Sequence, residues 1–320
     1  MCAESIESVA LVFPGALGDF LLAMPALRAL RPSHTGARVT IVVSQPLVGL
    51  AALAAVADEV ASLDASASAW LFGASEQPRW LVGRPTVYSW LGATDAEMRA
   101  RIGAVARGAS FFTVERGDGP RHAAAAYARA VGAPASLATL RQRGRIEPPQ
   151  SAAADRLYAT LIPPVLAMHA GAGAPAKQWA VEGYRQVAGW WRATGGAVIE
   201  VSGPAEAGRR VIPDAPVACG LALPDLAAVL ARAAFYVGND SGVSHLAGAV
   251  GATGVVLFGP TRPGRWRPLG GRLTPLEAAG AHRATGISLA ALPATRVLAV
   301  CRRVMRAAAR APVDKGGPRY

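Results

Sequence analysis

The chain has 320 residues, 52% of them hydrophobic and only 6% aromatic, with a formal net charge of +12; that length predicts two domains of roughly 150 residues, and the few aromatics argue against a β-sandwich. Three dispersed cysteines (Cys2, Cys219, Cys301) without CxxC spacing argue against a disulfide framework or a zinc site. No apolar run of about 18 residues predicts a membrane span, and MCAESIESVALVF lacks the basic start of a secretory leader, so a cytoplasmic protein that attracts anions is expected.

The first predicted strand is Val9 to Phe13, followed by a Pro14-Gly15 turn and a helical pattern over Asp19 to Arg31. Gly15 and Gly18 allow a tight turn and a close backbone approach to a ligand. Asp19 falls at the helix start, where it either caps the helix or faces a cleft as a general base. A second strand is read at Val39 to Val43, a helix at Leu47 to Ala57, then strand-like pieces at Thr86 to Ser89 and Ser110 to Val114. Helices are expected at Asp95 to Arg107 and Arg121 to Val131. This alternation predicts a parallel sheet with helices on both faces.

Residues 133–151 lose periodicity and gain Pro, Gly and Arg, which marks a linker and divides the chain into 1–150 and 151–320. Alternation then resumes at Val165 to His169, and the loop beyond that strand, HAGAGAPAK, sets Gly171 and Gly173 before Lys177. Only Lys177 and Lys315 are lysines in this arginine-rich chain, so a lysine in a glycine loop is informative. Backbone N–H groups, a helix terminus at Gly183 to Thr194 and one ammonium suit a diphosphate, although neither a Walker A loop nor a proper dinucleotide fingerprint is present. After the strand Ala197 to Ser202, Glu206 lies where an acid can hold a ribose hydroxyl or simply face solvent.

A helix over Asp225 to Ala233 and a strand from Phe235 precede GNDSGVSHLAGAVG at 238–251, the densest polar cluster at any predicted strand end. Asp240 or Ser241 can cap the helix over Ser244 to Val250, Gly242 leaves its backbone open, and His245 can donate to a phosphate oxygen. Beyond the strand Gly254 to Phe258, Thr261, Arg262, Arg265 and Arg267 form a basic loop, read either as solvated or as an anion-binding lip. The pattern over 289–310 is a last helix that caps the second domain or crosses back to the first, and disorder is expected after Pro312.

Three stretches, GALGDFLLAMPALRALR, HAGAGAPAKQWAVEGY and GNDSGVSHLAGAVGATGVVLFGPTRP, resemble glycosyltransferase family 9, the lipopolysaccharide heptosyltransferases that use ADP-heptose. The resemblance implies a GT-B fold, α/β with two Rossmann-like domains facing each other across a cleft. It further implies an inverting transfer without metal or other cofactor, Asp19 as the base, and a nucleotide-sugar donor held by Gly171, Gly173, Lys177, Glu206, Asp240, Ser241, Gly242 and His245. Gly18 and Arg262 are candidate anion or acceptor contacts. The acceptor would be a glycan or glycolipid, the basic face would suit an anionic membrane surface, and no nucleic-acid motif is present. Two other readings stand beside it: a sugar-nucleotide epimerase or hydrolase of the same fold, and a non-catalytic sugar-nucleotide-binding partner protein. The chain departs from the family at Ala180 and Ser241, and in the PGAL loop before Asp19.

Overall fold

The computed structural model describes residues 7–64, 66–73, 76–203, 206, 208–278 and 288–310. The expected disorder after Pro312, and Cys2, lie outside these residues.

The first half contains β1 (Ser8–Phe13), α1 (Leu17–Leu30), β2 (Arg38–Val43), α2 (Val48–Leu53), β3 (Glu59–Ser62), β4 (Thr86–Ser89), α3 (Ala96–Val105), β5 (Gly108–Phe111), α4 (Ala123–Ala130) and α5 (Leu137–Arg143). Its five strands form one sheet of order β3-β2-β1-β4-β5, parallel throughout. The second half contains α6 (Ala152–Tyr158), β6 (Val165–His169), α7 (Val181–Ala193), β7 (Ala197–Ser202), β8 (Val217–Cys219), α8 (Leu223–Arg232), β9 (Phe235–Asn239), α9 (Gly242–Ala249), β10 (Thr253–Phe258), α10 (Pro263–Trp266), β11 (Arg272–Glu277) and α11 (Ala294–Arg310). Its six parallel strands run in the order β11-β10-β9-β6-β7-β8.

Strands buried on both faces read as unbroken apolar runs, and β1 shows why. Val9, Leu11 and Phe13 enter one core while Ala10 and Val12 enter another on the opposite face. In the second sheet Tyr236 of β9 belongs to the core that β1 shares, whereas Phe235 and Val237 belong to the core under α7 and α11. One apolar seam therefore spans both sheets, because α1 packs on α9 and α2 on α8.

Backbone ties reinforce that seam. Ile146 N–H donates to Ala249 O at 2.9 Å, Arg141 Nε to Leu269 O at 3.1 Å, and His122 Nε2 to the Arg267 carbonyl at 2.9 Å. Arg28 donates to the carbonyls of Ala54, Arg143 and Arg145, drawing the end of α5 onto α1.

Sequence reasoning passes over β3, β8, β11, α5 and α6. The strands β3 and β11 lie at sheet edges and are only partly buried, so their alternation is weak. Pro275 within β11 is tolerated there because an edge strand has one free side. The three residues of β8 are too few for any period. Within the expected linker, Ser136 caps α5 by accepting from Thr139 N–H. The last helix, α11, packs on α7, β10 and β11.

Candidate active site

The loops at the carboxyl ends of β1, β5, β6, β9 and β10 converge on one cleft of about 450 Å3. Gly18, Asp19, Gly173, Lys177, Asp240, Ser241, Gly242 and His245 line it, together with Leu22, Gly117, Asp118, Thr261 and Trp266. Eight of the residues singled out in the sequence thus lie around one space. This is where ligands bind in open parallel sheets, since the loops there are free to vary while the strands hold them.

The first wall is the start of α1. Ala16 is the N-cap residue and contributes no side-chain bond. Asp19, three residues on, faces the cleft, and the nearby Ala16 N–H favours its ionised form. Burial raises the Asp19 carboxyl above the ordinary aspartate value, against the opposing pull of that N–H and of the Arg116 and Lys177 charges. A second cavity of about 830 Å3 opens on the other side of Asp19, lined by Trp90, Thr94, Thr113, Glu115 and Arg116 among others. Asp19 is common to both cavities.

The opposite wall is the β9–α9 junction. Ser241 is the N-cap of α9, and its hydroxyl accepts from Ser244 N–H at 3.4 Å. Asp240 does not cap the helix. Its Oδ2 accepts from Lys177 Nζ at 2.8 Å and from Thr261 Oγ1 at 2.6 Å, and its Oδ1 lies 3.9 Å from His245 Nε2. The Asp240 side chain is 6% exposed and that of Lys177 28%, so the pair sits at the cleft floor with the ammonium toward solvent. Because an ammonium carries three donors, Lys177 can keep Asp240 and still meet an anion. The N-termini of α1 and α9 meet here: a Cβ on Gly18 would lie 3.2 Å from His245 Cδ2, and one on Gly242 would lie 3.0 Å from Leu17.

Asn239, read in the sequence only as part of a polar cluster, is fully buried and holds the glycine loop to the β9 end. Its Nδ2 donates to Ala170 O at 2.8 Å, and its Oδ1 accepts from Tyr184 OH at 2.8 Å and from Trp179 N–H at 3.3 Å. The loop bearing Gly173 and Lys177 is therefore placed from beneath by one amide.

His245 is 7% exposed. Burial pulls its imidazole down to about 4; Asp240 opposes this, while His122 and Lys177 add to it. The ring is neutral at physiological pH and presents one N–H. An unfolded histidine titrates near 6.5, so the unfolded chain binds the extra proton first. Stability present above pH 6.5 should be lost progressively as pH falls toward 4, by up to about 3 kcal/mol from this ring. His245→Asn is expected to flatten that part of the stability curve in urea titrations between pH 4 and 7, with His122 and His169, also lowered by burial, leaving a residual slope. An unchanged slope would mean that His245 is not the buried titrating group.

Three expected site residues lie elsewhere. Glu206 bends back so that Oε2 accepts from Gly203 N–H at 2.9 Å, and it abuts Gly171, where a Cβ would collide with its carboxylate. Gly171 and Glu206 thus pack against each other outside the cleft lining. Arg262 is exposed at the N-cap of α10. The reading of its loop as an anion-binding lip is altered most by Arg265, which is buried and occupied by backbone carbonyls of residues 115–121. Sequence reasoning missed Gly117, Asp118 and the role of Thr261. The signal existed, because ERGDG closely follows the strand expected at 110–114 and carries the same glycine-plus-acid signature as the other strand ends.

Among the described residues no three His, Cys, Asp or Glu side chains gather as a metal site, Cys219 and Cys301 are both free, and no helix is long and apolar enough to cross a membrane.

Two parallel sheets whose strand ends face one polar cleft, with a carboxylate on one wall and a lysine with a helix N-terminus on the other, give the chain the GT-B architecture. Solved structures agree on the fold. A glycosyltransferase family 9 protein from Veillonella parvula DSM 2008 matches with a TM-score of 0.77 at 19% identity, over 95% of this chain and 99% of that one. The E. coli ADP-heptose LPS heptosyltransferase II matches at 0.71 with 15% identity, over 94% and 99%. E. coli heptosyltransferase WaaC with ADP matches at 0.63 with 19% identity, over 93% and 99%. No curated protein matches by sequence. Residues 106–285, more than half of the chain, match the family model of glycosyltransferase family 9 (heptosyltransferase), and the chain belongs to that family. It is a glycosyltransferase.

Proposed function

We propose that this enzyme transfers a heptose-type sugar, with inversion, from an ADP-linked donor to a hydroxyl of a lipopolysaccharide-type glycan acceptor. The observation that carries this reading is the position of Asp19, common to two cavities and facing Lys177 and the α9 N-terminus across the first. In this reading residues 151–320 hold the donor and residues 1–150 the acceptor. The acceptor oxygen attacks the anomeric carbon as Asp19 takes its proton, the new carbon–oxygen bond forms as the bond to the diphosphate breaks, and the departing electron pair leaves on the diphosphate. Burial, which raises the Asp19 carboxyl above the ordinary aspartate value, makes it a stronger base than an ordinary aspartate. Lys177, the first turn of α9 and the neutral His245 N–H receive the growing negative charge, work that needs donors already in place. Glu206 would serve the nucleotide only if donor binding swings it from Gly203.

The ADP and heptose assignments draw on the neighbours described as ADP-heptose LPS heptosyltransferase II and as heptosyltransferase WaaC with ADP. Incubating the enzyme with ADP-, GDP- and UDP-linked sugars should give transfer only with the ADP-linked heptose and a product of opposite anomeric configuration by proton NMR. Free or epimerised sugar without acceptor would replace transfer by hydrolysis or epimerisation, and retained configuration would overturn inversion.

No divalent ion is assigned to the leaving group in this reading, because Lys177 and the helix terminus occupy that place. Activity is expected to survive millimolar EDTA within a factor of about two, read as ADP release; loss restored by added metal would overturn it. The exposed arginines of α11, Arg296, Arg302, Arg303, Arg306 and Arg310, together with the net charge of +12, are proposed to rest the enzyme on the cytoplasmic face of an anionic membrane.

A further inference from the structure

Arg265 belongs to the second half of the chain but spends its guanidinium on the first. It is 4% exposed. Its Nε donates to Gly117 O at 2.8 Å and Nη1 to Arg121 O at 2.8 Å, while Nη2 donates to the Glu115 carboxylate at 2.7 Å and to Arg116 O at 3.2 Å. The group also lies 5.0 Å from the centre of the Trp266 ring. A buried guanidinium is costly unless its donors are met, and here three of the four acceptors are main-chain carbonyls of a single loop. Such a pattern dictates the shape of that loop, whereas a simple ion pair would not. Gly119 makes the room, since a Cβ there would stand 2.5 Å from Nη1.

Residues 115–121 form no helix or strand of their own. Gly117 and Asp118 line the first cavity, and Glu115 and Arg116 line the second beside Asp19. We propose that Arg265 is a positioning residue for transfer: reaching from the opposite half, it holds residues 115–121 so that Arg116 stands beside Asp19 only when the two halves are docked. The proposal rests on the reading of Asp19 as the base. The charged and titratable groups facing Asp19 are Arg116, Glu115 and Asp118 of this loop, Lys177, Asp240 and His245 across the cleft, and Tyr127 of α4. Of these, Arg116 and Lys177 favour its ionised form, so withdrawing Arg116 makes Asp19 harder to ionise.

The test compares the acid limb of the kcat/KM profile in wild type, Arg265→Lys, Arg116→Ala and the double variant. Arg265→Lys keeps the positive charge but cannot reproduce the fork, so any shift comes from the loop rather than from a lost charge. Each single variant is expected to move the acid limb to higher pH by up to about one pH unit, and the double variant no further than either. Most of the stabilisation by ADP in thermal shift should remain, because Lys177 and α9 are untouched and only Gly117 and Asp118 of the released loop line that cavity. A wild-type acid limb in either single variant, or shifts that add in the double, overturns the proposal. Should Arg265→Lys fail to fold, Gly119→Ala displaces the same guanidinium without altering any charge and is expected to shift the limb in the same direction; a wild-type limb in that variant also overturns it. The Asp19→Asn control separates the two readings: wild-type turnover there removes the base assignment itself, whereas an inactive Asp19→Asn with additive shifts removes Arg265 alone.

Discussion

Asp19→Asn is expected to lower kcat by about 10²- to 10⁴-fold, the range typical of a lost general base, with donor binding nearly unchanged. The amide keeps the shape of the carboxylate and its acceptor oxygen near the Ala16 N–H, so α1 should stay in place. The stability of the variant offers a second, independent check. Because burial outweighs the favourable charges, native Asp19 holds its proton more tightly than unfolded Asp19. Wild-type stability therefore falls as pH rises through the unfolded value of about 3.9 and on through the higher folded value, then levels off. Asn does not titrate, so Asp19→Asn should match or exceed the wild-type melting temperature at pH 7 and lose that advantage toward pH 3. An inactive variant that melts well below wild type at pH 7 would make Asp19 a helix cap whose loss disorders the site; full activity would place the base elsewhere.

That ambiguity could not be resolved from sequence, and it shows which features were legible. A parallel sheet buries its strands on both faces, so VALVF, VTIVV, VLAMH and VVLF announce themselves, and the residue after each strand marks the cleft. Asp19, Lys177, Asp240 and His245 fall in the loops and first turns after those strands, but so do Glu206 and Arg262, which lie outside the cleft lining. Their roles do not follow from position, because capping and catalysis differ in where an oxygen points. The sequence leaves Asp240 and Ser241 as alternative caps; in the fold Ser241 caps the helix, while Asp240 pins Lys177 and Thr261. Arg265 was less legible still. Its partners are about 150 positions away, and nothing local separates it from the exposed Arg262 three residues earlier. Long-range burial, set by how the two sheets dock, decides which arginine of a basic loop faces water.

Lys177→Ala is expected to cost both function and stability, and the two losses should come apart on adding Asp240→Asn. In the proposed mechanism, removing the ammonium takes away a fixed charge that meets the leaving diphosphate, a loss of about 10²- to 10³-fold in kcat for one preorganised donor. It also leaves the Asp240 carboxylate, 6% exposed, with the Thr261 hydroxyl at 2.6 Å and a neutral imidazole at 3.9 Å. An uncompensated buried charge of this kind costs about 3–5 kcal/mol, and the 28% exposure of Lys177 brings the expected destabilisation nearer about 1–3 kcal/mol, because water already screens the pair. Asp240→Asn in the same chain removes the orphaned charge, so the double variant should recover most of that stability in urea unfolding while its kcat stays as low as that of Lys177→Ala. Asp240→Asn alone should retain more activity than Lys177→Ala, since it frees the ammonium without removing it, and its loss should appear mainly in donor KM as Lys177 becomes less well placed. Recovery of activity in the double variant would mean that Lys177 serves only to neutralise Asp240, and the leaving-group charge would then fall to the first turn of α9 and His245.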